Sequence, residues 1–357
     1  MRLLIICYLL ANLFFMQNLF SKSIYINSKS NFKVFAALNN DEIYLLNISG
    51  VNIDSLERKF SNTKSINKLG LYNCFGSKYF EVINSNPALK NIKEIVLENI
   101  YYDDFNHLFS AFDSLESIRI ENCNVESIDF LLKFSRTLKE LYISGLKLDS
   151  IPDDIGKLDN LEKLLVSNCM NPFKDDELKK FTQLRNLIEI DIADIYGCLD
   201  LSLATKLKSV FIDYNSFDSS GIMLKLANNV YPNTVCIGSS DRANYLPILN
   251  LFNDGTIRLD SIKEVYLNGC IDKIPSFVMQ MPLLETLVMR NCKLTDVDYK
   301  WDKLANIKRI DFSENCISTI PQSLINILPR LDELYIRYNL ITTDETNKIN
   351  SSKIVNF

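Results

Sequence analysis

The segment Leu138-Lys-Glu-Leu-Tyr-Ile-Ser-Gly-Leu-Lys-Leu-Asp-Ser-Ile151 places apolar residues at its first, fourth, sixth, ninth, eleventh and fourteenth positions. The segment that begins at Leu115 has the same spacing, with Cys123 at the ninth position. A short strand and turn with this spacing cannot bury their apolar side alone. The pattern therefore predicts similar units stacked on one another.

This pattern recurs along most of the chain. The first positions of the units lie 20 to 26 residues apart, except for one step of 55 residues between Leu207 and Ile262. The long step predicts one irregular unit, whose strand is Val235-Cys-Ile237. We therefore predict about thirteen units, of which the twelve regular ones begin at Ile43, Ile66, Ile92, Leu115, Leu138, Leu161, Leu187, Leu207, Ile262, Leu284, Ile307 and Leu331.

The spacing matches L-x-x-L-x-L-x-x-N/C-x-L and resembles the leucine-rich-repeat family over roughly residues 41 to 341. Ile-Pro follows the pattern at Ile151, Ile274 and Ile320, and the segment from Ile151 to Leu161 is similar to the common 23-residue subtype. The resemblance implies an α/β solenoid, a horseshoe with a concave parallel sheet and short helical or 3₁₀ convex segments such as 153–158 and 322–327. In this family the concave face usually binds the partner.

The N-terminus has the features of a secretory signal. Arg2 precedes an apolar stretch from Leu3 to Phe15, and Ser21-Lys-Ser23 offers small residues to a signal peptidase. We predict a signal peptide at 1–23, an N-terminal cap at 24–42, the solenoid at 43–341 and a C-terminal tail at 342–357. An uncleaved membrane anchor is the alternative, because residues 3–20 are about as long as a minimal span. No later segment is predicted to cross a membrane.

Composition argues against nucleic acid as a partner. The net charge is -5 and the pI about 5.2, whereas nucleic-acid binding requires a basic stripe. The single histidine, His107, follows Asp103 and Asp104 in a segment that we predict to be an outer, solvated helix, the alternative being a ligand set. No P-loop or Ser-His-Asp arrangement is present, so we predict a protein without enzymatic activity, cofactor or metal. We also predict that it is a monomer.

The cysteines follow the repeat. Five of them occupy the ninth position of their units, where Asn215, Asn315 and Asn339 stand elsewhere, and we expect each to hydrogen-bond the turn of the next unit. A Cys270–Cys292 disulfide is an open alternative, because adjacent units place those residues near one another. Cys198, Cys236 and Cys316 lie off the repeat and are candidate thiols. The ninth-position cysteines are Cys74, Cys123, Cys169, Cys270 and Cys292.

The residues between the fourth and sixth positions are predicted to face outward from the sheet. In the middle and C-terminal units many of them are aromatic or aliphatic, which is typical of interface anchors, although such residues also favour strands anywhere. The residues that we predict to bind a partner are Tyr142, Leu165, Phe211, Tyr266, Tyr335, Arg337 and Tyr338. The whole row is Asn47, Gly70, Val96, Arg119, Tyr142, Leu165, Asp191, Phe211, Cys236, Tyr266, Val288, Asp311 and Tyr335.

Charges divide along the same predicted face. Its front and centre are predicted to be acidic, with Lys68, Arg119 and Lys163 interposed, whereas Arg290, Arg309 and Arg337 stand near Tyr335 and Tyr338 at its end. Arginine with tyrosine is the composition of a protein-contact hot spot. The acidic residues are Glu94, Glu98, Glu121, Glu140, Glu189, Asp191 and Asp213.

Between Asn215 and Ile262 the period loosens. Residues 218–221 are predicted to cap a helix that ends at Asn229, and a second short helix is predicted over 245–252, either on the outer face or as an island that shapes the binding surface. Two sequons, at Asn47 and Asn350, are candidate glycosylation sites, and a glycan on Asn47 is predicted to cover the first strands of the concave face.

These features predict a secreted, non-enzymatic protein that binds another protein through its concave face. It is similar to the secreted leucine-rich-repeat proteins of intracellular parasites, a resemblance that implies a host-directed ligand or effector. One alternative is a structural or adhesive component of a cell wall or surface coat. Another is an intracellular scaffold or regulator that retains residues 1–23.

Overall fold

The computed structural model describes residues 22–27, 42–56, 63–169, 175–193, 197–213, 222–228, 230–238, 257–269, 271–347 and 355–356. The chain divides into two compact units. The first unit consists of Met1–Val125 with Asp129–Leu138, and the second unit of Glu126–Ile128 with Lys139–Phe357. The predicted signal peptide lies outside the described residues except for its last two residues.

The first unit is a parallel sheet whose strands follow chain order. Its strands are β1 (Lys22–Asn27), β2 (Glu42–Ser49), β3 (Ser65–Tyr72), β4 (Glu94–Glu98) and β5 (Ser117–Glu121). Its described helices are α1 (Tyr79–Asn84), α2 (Pro87–Lys90) and α3 (Phe105–Ser110), with 3₁₀ turns at Ile53–Leu56 and Asp129–Phe134.

The second unit also has a parallel sheet, in the order β6-β7-β8-β10-β12-β13-β14-β15-β16-β17, and a separate pair β9-β11. Its strands are β6 (Glu140–Ser144), β7 (Lys163–Ser167), β8 (Glu189–Ala193), β9 (Gly197–Leu201), β10 (Ser209–Asp213), β11 (Ile222–Leu226), β12 (Thr234–Gly238), β13 (Glu264–Asn268), β14 (Thr286–Val288), β15 (Arg309–Asp311), β16 (Glu333–Tyr335) and β17 (Val355–Asn356). Its described helices are α4 (Asp175–Lys180), α5 (Gln322–Ile325) and α6 (Thr343–Asn347). Its 3₁₀ turns are Ile155–Lys157, Phe181–Gln183, Leu259–Ser261, Ser276–Gln280, Trp301–Lys303 and Leu328–Arg330.

The predicted leucine-rich-repeat solenoid is confirmed. The thirteen predicted units supply thirteen parallel strands, β2 to β8, β10 and β12 to β16, and the irregular unit supplies β12 as expected. The outer segments predicted at 153–158 and 322–327 contain a 3₁₀ turn and α5. Two further strands extend the sheets: β1 pairs with β2, and β17, within the predicted C-terminal tail, pairs with β16.

The strands form because apolar and polar residues alternate within each unit. In β5, Ile118 and Ile120 are fully buried, while Ser117, Arg119 and Glu121 lie half-exposed on the opposite face. Burying one such aliphatic side chain contributes about 1.5–3 kcal/mol. Only stacked neighbours can supply that burial, so each unit depends on the next.

The outer segments complete the core. In the first unit Phe109 of α3 stacks on Phe130, with ring centroids 4.1 Å apart, and both rings are buried. Asp104 caps α3 by accepting a hydrogen bond from the His107 amide at 2.7 Å. His107 itself is exposed, and its ring meets the edge of Phe80, with centroids 3.8 Å apart. The predicted outer helix at His107 is therefore confirmed.

The helix predicted from residues 218–221 to Asn229 is wrong, because the chain forms β11 there. β11 pairs in parallel with β9, so that Leu224 lies in register with Leu199 and Leu226 with Leu201. Leu224, Leu199 and Leu201 are buried, and the period-two burial outweighs the helix-capping signal of Asp and Ser. The second predicted helix, over 245–252, lies outside the described residues.

Cysteine and asparagine at the ninth position connect adjacent units. The Cys74 thiol donates to the Ile48 carbonyl at 3.4 Å, Cys123 to Leu97 at 3.7 Å and Cys292 to Leu267 at 2.8 Å. The expected hydrogen bonds are present, but the partner is the preceding unit and not the next one. The reason is that the turn after each strand places this side chain beside a carbonyl group of the preceding unit's strand.

The eighth position is held in the left-handed backbone conformation, a feature that the sequence analysis missed. Ten described units have φ between 50° and 72° there. Glycine and asparagine tolerate this conformation, whereas other residues pay about 1–3 kcal/mol. The Asn-Cys pairs that recur at the eighth and ninth positions are the sequence signal for this conformation. The ten residues are Gly50, Asn73, Asn99, Asn122, Gly145, Asn168, Gly269, Asn291, Glu314 and Tyr338.

Replacing Tyr79 by phenylalanine is expected to stabilise the protein by about 1–2 kcal/mol. Tyr79 is fully buried, and its hydroxyl has no hydrogen-bond partner among the described residues. Burial also raises the pKa of this phenol. Chemical unfolding should show the gain in Tyr79→Phe and no change in the control Tyr101→Phe, whose side chain is 70% exposed. A less stable Tyr79→Phe protein would mean that the hydroxyl has a partner after all.

Candidate protein-binding face

The candidate site is the open face of the sheet in the second unit, opposite the buried side chains. Register places the middle side chain of each strand beside that of the next, in a line that we call the centre row. The centre row is Tyr142, Leu165, Asp191, Phe211, Cys236, Tyr266, Val288, Asp311 and Tyr335.

The five strand residues predicted to bind a partner all lie in the centre row, and all five are half-exposed. Arg337 and Tyr338 follow β16 and are exposed, Tyr338 by 79%. The structure therefore brings the five strand residues to one face of one unit, whereas Arg337 and Tyr338 lie after β16. That any of the seven binds a partner stays a prediction. The five are Tyr142, Leu165, Phe211, Tyr266 and Tyr335.

Two members of the row keep its register but are buried, whereas the sequence predicts all of its members to be outward-facing. Val288 is 4% exposed and Asp311 6% exposed. Both side chains are short, and Val288 stands in register between Tyr266 and Asp311. Asp311 accepts a hydrogen bond from the Ser313 amide at 3.0 Å, and the Arg290 guanidinium reaches it at 4.0 Å. The accessible surface of this part of the row is therefore carried by the residues on either side of these two.

An arginine and tyrosine cluster lies at the end of the row. The Arg309 guanidinium stands over the Tyr335 ring, 5.2 Å from its centroid, and its Nε lies 3.3 Å from a carboxylate oxygen of Glu333. Arg290 pairs with Glu314. Burial, together with the charge of Glu333, raises the pKa of the Tyr335 phenol.

Several charges of the face are paired, either between adjacent strands or within one strand. Lys68 pairs with Glu94, and Arg119 with Glu121, in the first unit. In the second unit Lys163 approaches Glu140 at 3.1 Å. These pairs reduce the acidic surplus predicted for the front and centre of the face. The side chain of Asp213, another residue of the predicted acidic set, lies outside the described residues. Half-buried carboxylates remain at Glu98 and Glu189, where burial raises the pKa.

Replacing Glu98 by glutamine is expected to raise the melting temperature at neutral pH. Burial first, and the adjacent charge of Glu121 second, raise the pKa of Glu98 in the folded chain. The folded chain then binds more protons than the unfolded one, so the ionised group lowers stability once pH exceeds the ordinary glutamate pKa of about 4.3.

Thermal unfolding of Glu98→Gln over a series of pH values tests this expectation. The gain should shrink as pH falls toward that value, because the wild-type carboxyl is then protonated too. Glu126→Gln, which changes an exposed carboxylate, is the matched control and should show no gain. Equal melting temperatures for Glu98→Gln and wild type at neutral pH would contradict the prediction.

Sequence reasoning missed one exposed aromatic residue on the open face of the first unit. Tyr25 of β1 is 66% exposed and stands in register with Asn47. The sequence places Tyr25 in the predicted N-terminal cap, because β1 precedes the first full repeat. The alternation Ile24-Tyr-Ile26, in which both isoleucines are buried, was the signal that could have revealed this strand.

The sequon residue Asn47 is half-buried on the same face. Its Oδ1 is buried without a hydrogen-bond partner among the described residues, and it lies where a side chain on Gly70 would otherwise stand. Tyr72 fills the other side of that gap. Glycosylation of Asn47 stays a prediction, and Asn350 lies outside the described residues.

The cysteines of the described residues are all thiols. Burial raises the pKa of Cys123 to about 11, and that of Cys74 in the same direction, so these groups are poor nucleophiles at neutral pH. Cys198, Cys236 and Cys316 are half-exposed, as their positions off the repeat suggested. Cys270, the other half of the disulfide alternative, lies outside the described residues.

The described residues contain neither a metal-binding group of side chains nor a helix able to span a membrane. The described part of the chain contains no group of three or more His, Cys, Asp or Glu side chains placed to hold a metal ion. Among the helices described above, none has the length and apolar character to cross a membrane.

Comparison with known proteins gives the class. Residues 282–341 match the family model described as leucine rich repeat. A leucine-rich-repeat protein of Leptospira interrogans has a similar structure, with a TM-score of 0.53 and 17% identity over 88% of this chain and 90% of that one. The chain is therefore a leucine-rich-repeat protein in fold, and the resemblance predicted from its spacing is confirmed. The narrower likeness to secreted proteins of intracellular parasites stays a prediction.

Other similar structures come from animal complexes. The Drosophila Toll–Spatzle complex matches with a TM-score of 0.53 and 14% identity over 95% of this chain and 50% of that one. The mouse RP105/MD-1 complex matches with a TM-score of 0.53 and 16% identity over 87% and 62%. Ras guanine nucleotide exchange factor V of Dictyostelium discoideum is 32% identical over 81 residues, which is 21% of this chain and 4% of that protein. The match thus spans a very small part of this relative.

Proposed function

We propose that this chain is a non-enzymatic scaffold that binds another protein through the centre row of its second unit, the face that the sequence predicts to be concave. One observation carries the proposal: five apolar or amphipathic side chains stand half-exposed along a single row of parallel strands. A solvated sheet face would favour Ser, Thr, Lys or Glu at those places. Exposed apolar rows of this kind mark interaction surfaces.

Two further observations support a protein partner. The Arg309–Tyr335 stack at the end of the row has the composition of interface hot spots. The same fold occurs in the Toll–Spatzle and RP105/MD-1 structures, both of which are complexes. The match to these structures is one of fold, so the partner of this chain must be identified by experiment.

The test compares two matched variants. The row variant replaces Tyr142, Phe211 and Tyr266 by alanine, and the control variant replaces Leu203 and Leu283, exposed apolar residues off the strands, by alanine. Proteins that cross-link to each variant are quantified by mass spectrometry, after circular dichroism has shown that both variants fold. We expect at least one protein to be lost from the row variant and retained by the control. Equal capture by both variants would overturn the proposal.

We also propose that the protein is secreted and acts on another cell, as a ligand or effector. The apolar N-terminal stretch supports this, as does the position of β1. Cleavage after residue 23 would leave intact Ile24 and Ile26, the buried side chains of that strand. Mass spectrometry of the mature protein should find an N-terminus near Ile24. An intact Met1 or Arg2 would instead support an intracellular scaffold.

A further inference from the structure

Two aromatic side chains of the first unit, Phe75 and Tyr101, are left largely in solvent. Phe75 is 57% exposed and Tyr101 70% exposed. Each stands at the tenth position of its repeat, and the two repeats are adjacent, since β3 pairs with β4. The turns that carry the rings are joined directly, because Asn99 Nδ2 donates to Asn73 Oδ1 at 3.0 Å, just before each ring. The two rings therefore belong to one continuous surface.

The repeat does not require an aromatic residue at this place. In the repeats on either side, the tenth position is occupied by Asn52 and by Asn124. Both asparagines serve the backbone: Asn52 Oδ1 accepts from the Asp54 amide at 2.9 Å. Asn124 Oδ1 accepts from the Tyr102 amide at 2.9 Å. The two rings offer no such acceptor and stay more than half exposed, so neither the turn nor the core explains them.

The backbone beneath the rings is fixed by bonds to neighbouring repeats. The Phe75 amide donates to the Val51 carbonyl at 3.2 Å, and the Phe75 carbonyl accepts from the Ile53 amide at 2.8 Å. The residue that follows Tyr101 is tied to the next repeat by its bond to Asn124. Exposed aromatic side chains on fixed backbone are typical of interface anchors, because binding costs them little conformational entropy.

The surface around the rings is acidic. Burial raises the pKa of the half-exposed Tyr102 phenol, and the charges of three nearby carboxylates add to this shift. Two of them, Glu81 and Asp103, are exposed and make no ion pair with the described residues. Segments 75–81 and 101–107 together carry three carboxylates and one lysine, so their net charge is negative. The three carboxylates are those of Glu81, Asp103 and Asp104.

The surface formed by Phe75, Tyr101, Tyr102, Glu81 and Asp103 is called the aromatic edge. We propose that the aromatic edge binds a basic segment of a protein, one in which Lys or Arg stands next to an apolar side chain. The carboxylates would pair with the cationic groups, and the rings would contact the aliphatic stems of Lys or Arg and the apolar neighbour. An acidic segment would be repelled. The inference is independent of the centre row, which belongs to the second unit.

A random-peptide phage library selected on the immobilised full chain tests the proposal. Enriched peptides should contain Lys or Arg beside an aliphatic or aromatic residue. They should bind Phe75→Asn/Tyr101→Asn about tenfold more weakly than wild type. This variant carries the asparagine of the flanking repeats at both places, so its fold should persist, which circular dichroism checks. Leu203→Ala/Leu283→Ala, which removes exposed apolar residues of the second unit, is the control and should bind like wild type.

A second pair of variants tests the charges. Glu81→Gln/Asp103→Asn should weaken binding of the same peptides at low salt. The difference from wild type should shrink at about 1 M salt, where the screening length is about 3 Å. Asp113→Asn/Asp302→Asn removes two exposed carboxylates elsewhere, changes the net charge equally and should leave binding unchanged.

Three results would overturn the inference: enrichment of peptides without basic residues, equal binding of the peptides to wild type and Phe75→Asn/Tyr101→Asn, or an equal effect of the two charge variants. The row variant separates this failure from failure of the proposed function, because it changes only the second unit. Peptides of the aromatic edge should bind the row variant as tightly as wild type. If the peptides are lost from the row variant and kept by Phe75→Asn/Tyr101→Asn, the centre row stands and the aromatic edge does not.

Discussion

Replacing Asn315 by alanine is expected to destabilise the last units by about 3–5 kcal/mol. Asn315 is 6% exposed, and its amide joins two units. Its Oδ1 accepts from the amides of Cys292 and Leu294 at 2.9 and 3.0 Å, and its Nδ2 donates to the Met289 carbonyl at 2.8 Å. Alanine would leave these buried backbone groups without their partner, and each orphaned group costs about 1–3 kcal/mol.

Two matched variants refine the Asn315 prediction. Asn315→Cys should cost less than Asn315→Ala, because cysteine fills the same position in other units and donates to the preceding unit there. Asn306→Ala, which removes an exposed amide bonded to the Pro282 carbonyl, should change stability little. Urea unfolding gives all three values. If Asn315→Ala is as stable as Asn306→Ala, the side-chain amide of Asn315 does not hold the units together.

Replacing Trp301 by alanine is expected to cost about 3–5 kcal/mol through the cavity it leaves. Trp301 is fully buried, and its Nε1 donates to the Val297 carbonyl at 2.9 Å. Its ring lies 5.8 Å from that of Phe312, so its removal also loosens the core beneath β15. Trp301→Phe keeps much of the volume and should cost less than half as much.

Hydrogen exchange shows where the Trp301→Ala effect occurs. In a solenoid each unit contacts only its neighbours, so amide protection should fall around β14, β15 and β16 and persist in β6 to β8. Uniform loss of protection across the second unit would contradict this expectation. Trp301 lies away from the centre row. If Trp301→Phe folds and still binds the partner, the binding face does not depend on this part of the core.

The repeat itself could be predicted because its signal is simple. Leu138, Leu141 and Ile143 are each at most 1% exposed, as their spacing requires, and similar spacing recurs in the twelve regular units. The outward direction of Tyr142 follows from the same alternation. The burial of the described ninth-position cysteines could also be predicted, because it depends only on their place in the unit.

The parts that failed depend on neighbours that a single unit does not contain. Val288 stands in register between residues of two other units, and no property of its own unit indicates that it is buried. β11 was mistaken for a helix because its partner β9 belongs to the preceding repeat and not to its own. The left-handed backbone at Tyr338 could be inferred only from the glycine and asparagine residues at the same place in other units, because tyrosine itself does not favour that conformation.

The sequence alone determined the period, the buried side of each strand and the class of fold, because a regular apolar spacing permits burial only by stacking. The tertiary structure decided which outward residues stay accessible, which charges are paired and where the backbone is strained. Those properties are set by side chains from adjacent units meeting in space, as Arg309 meets Tyr335 and Asn315 meets Leu294.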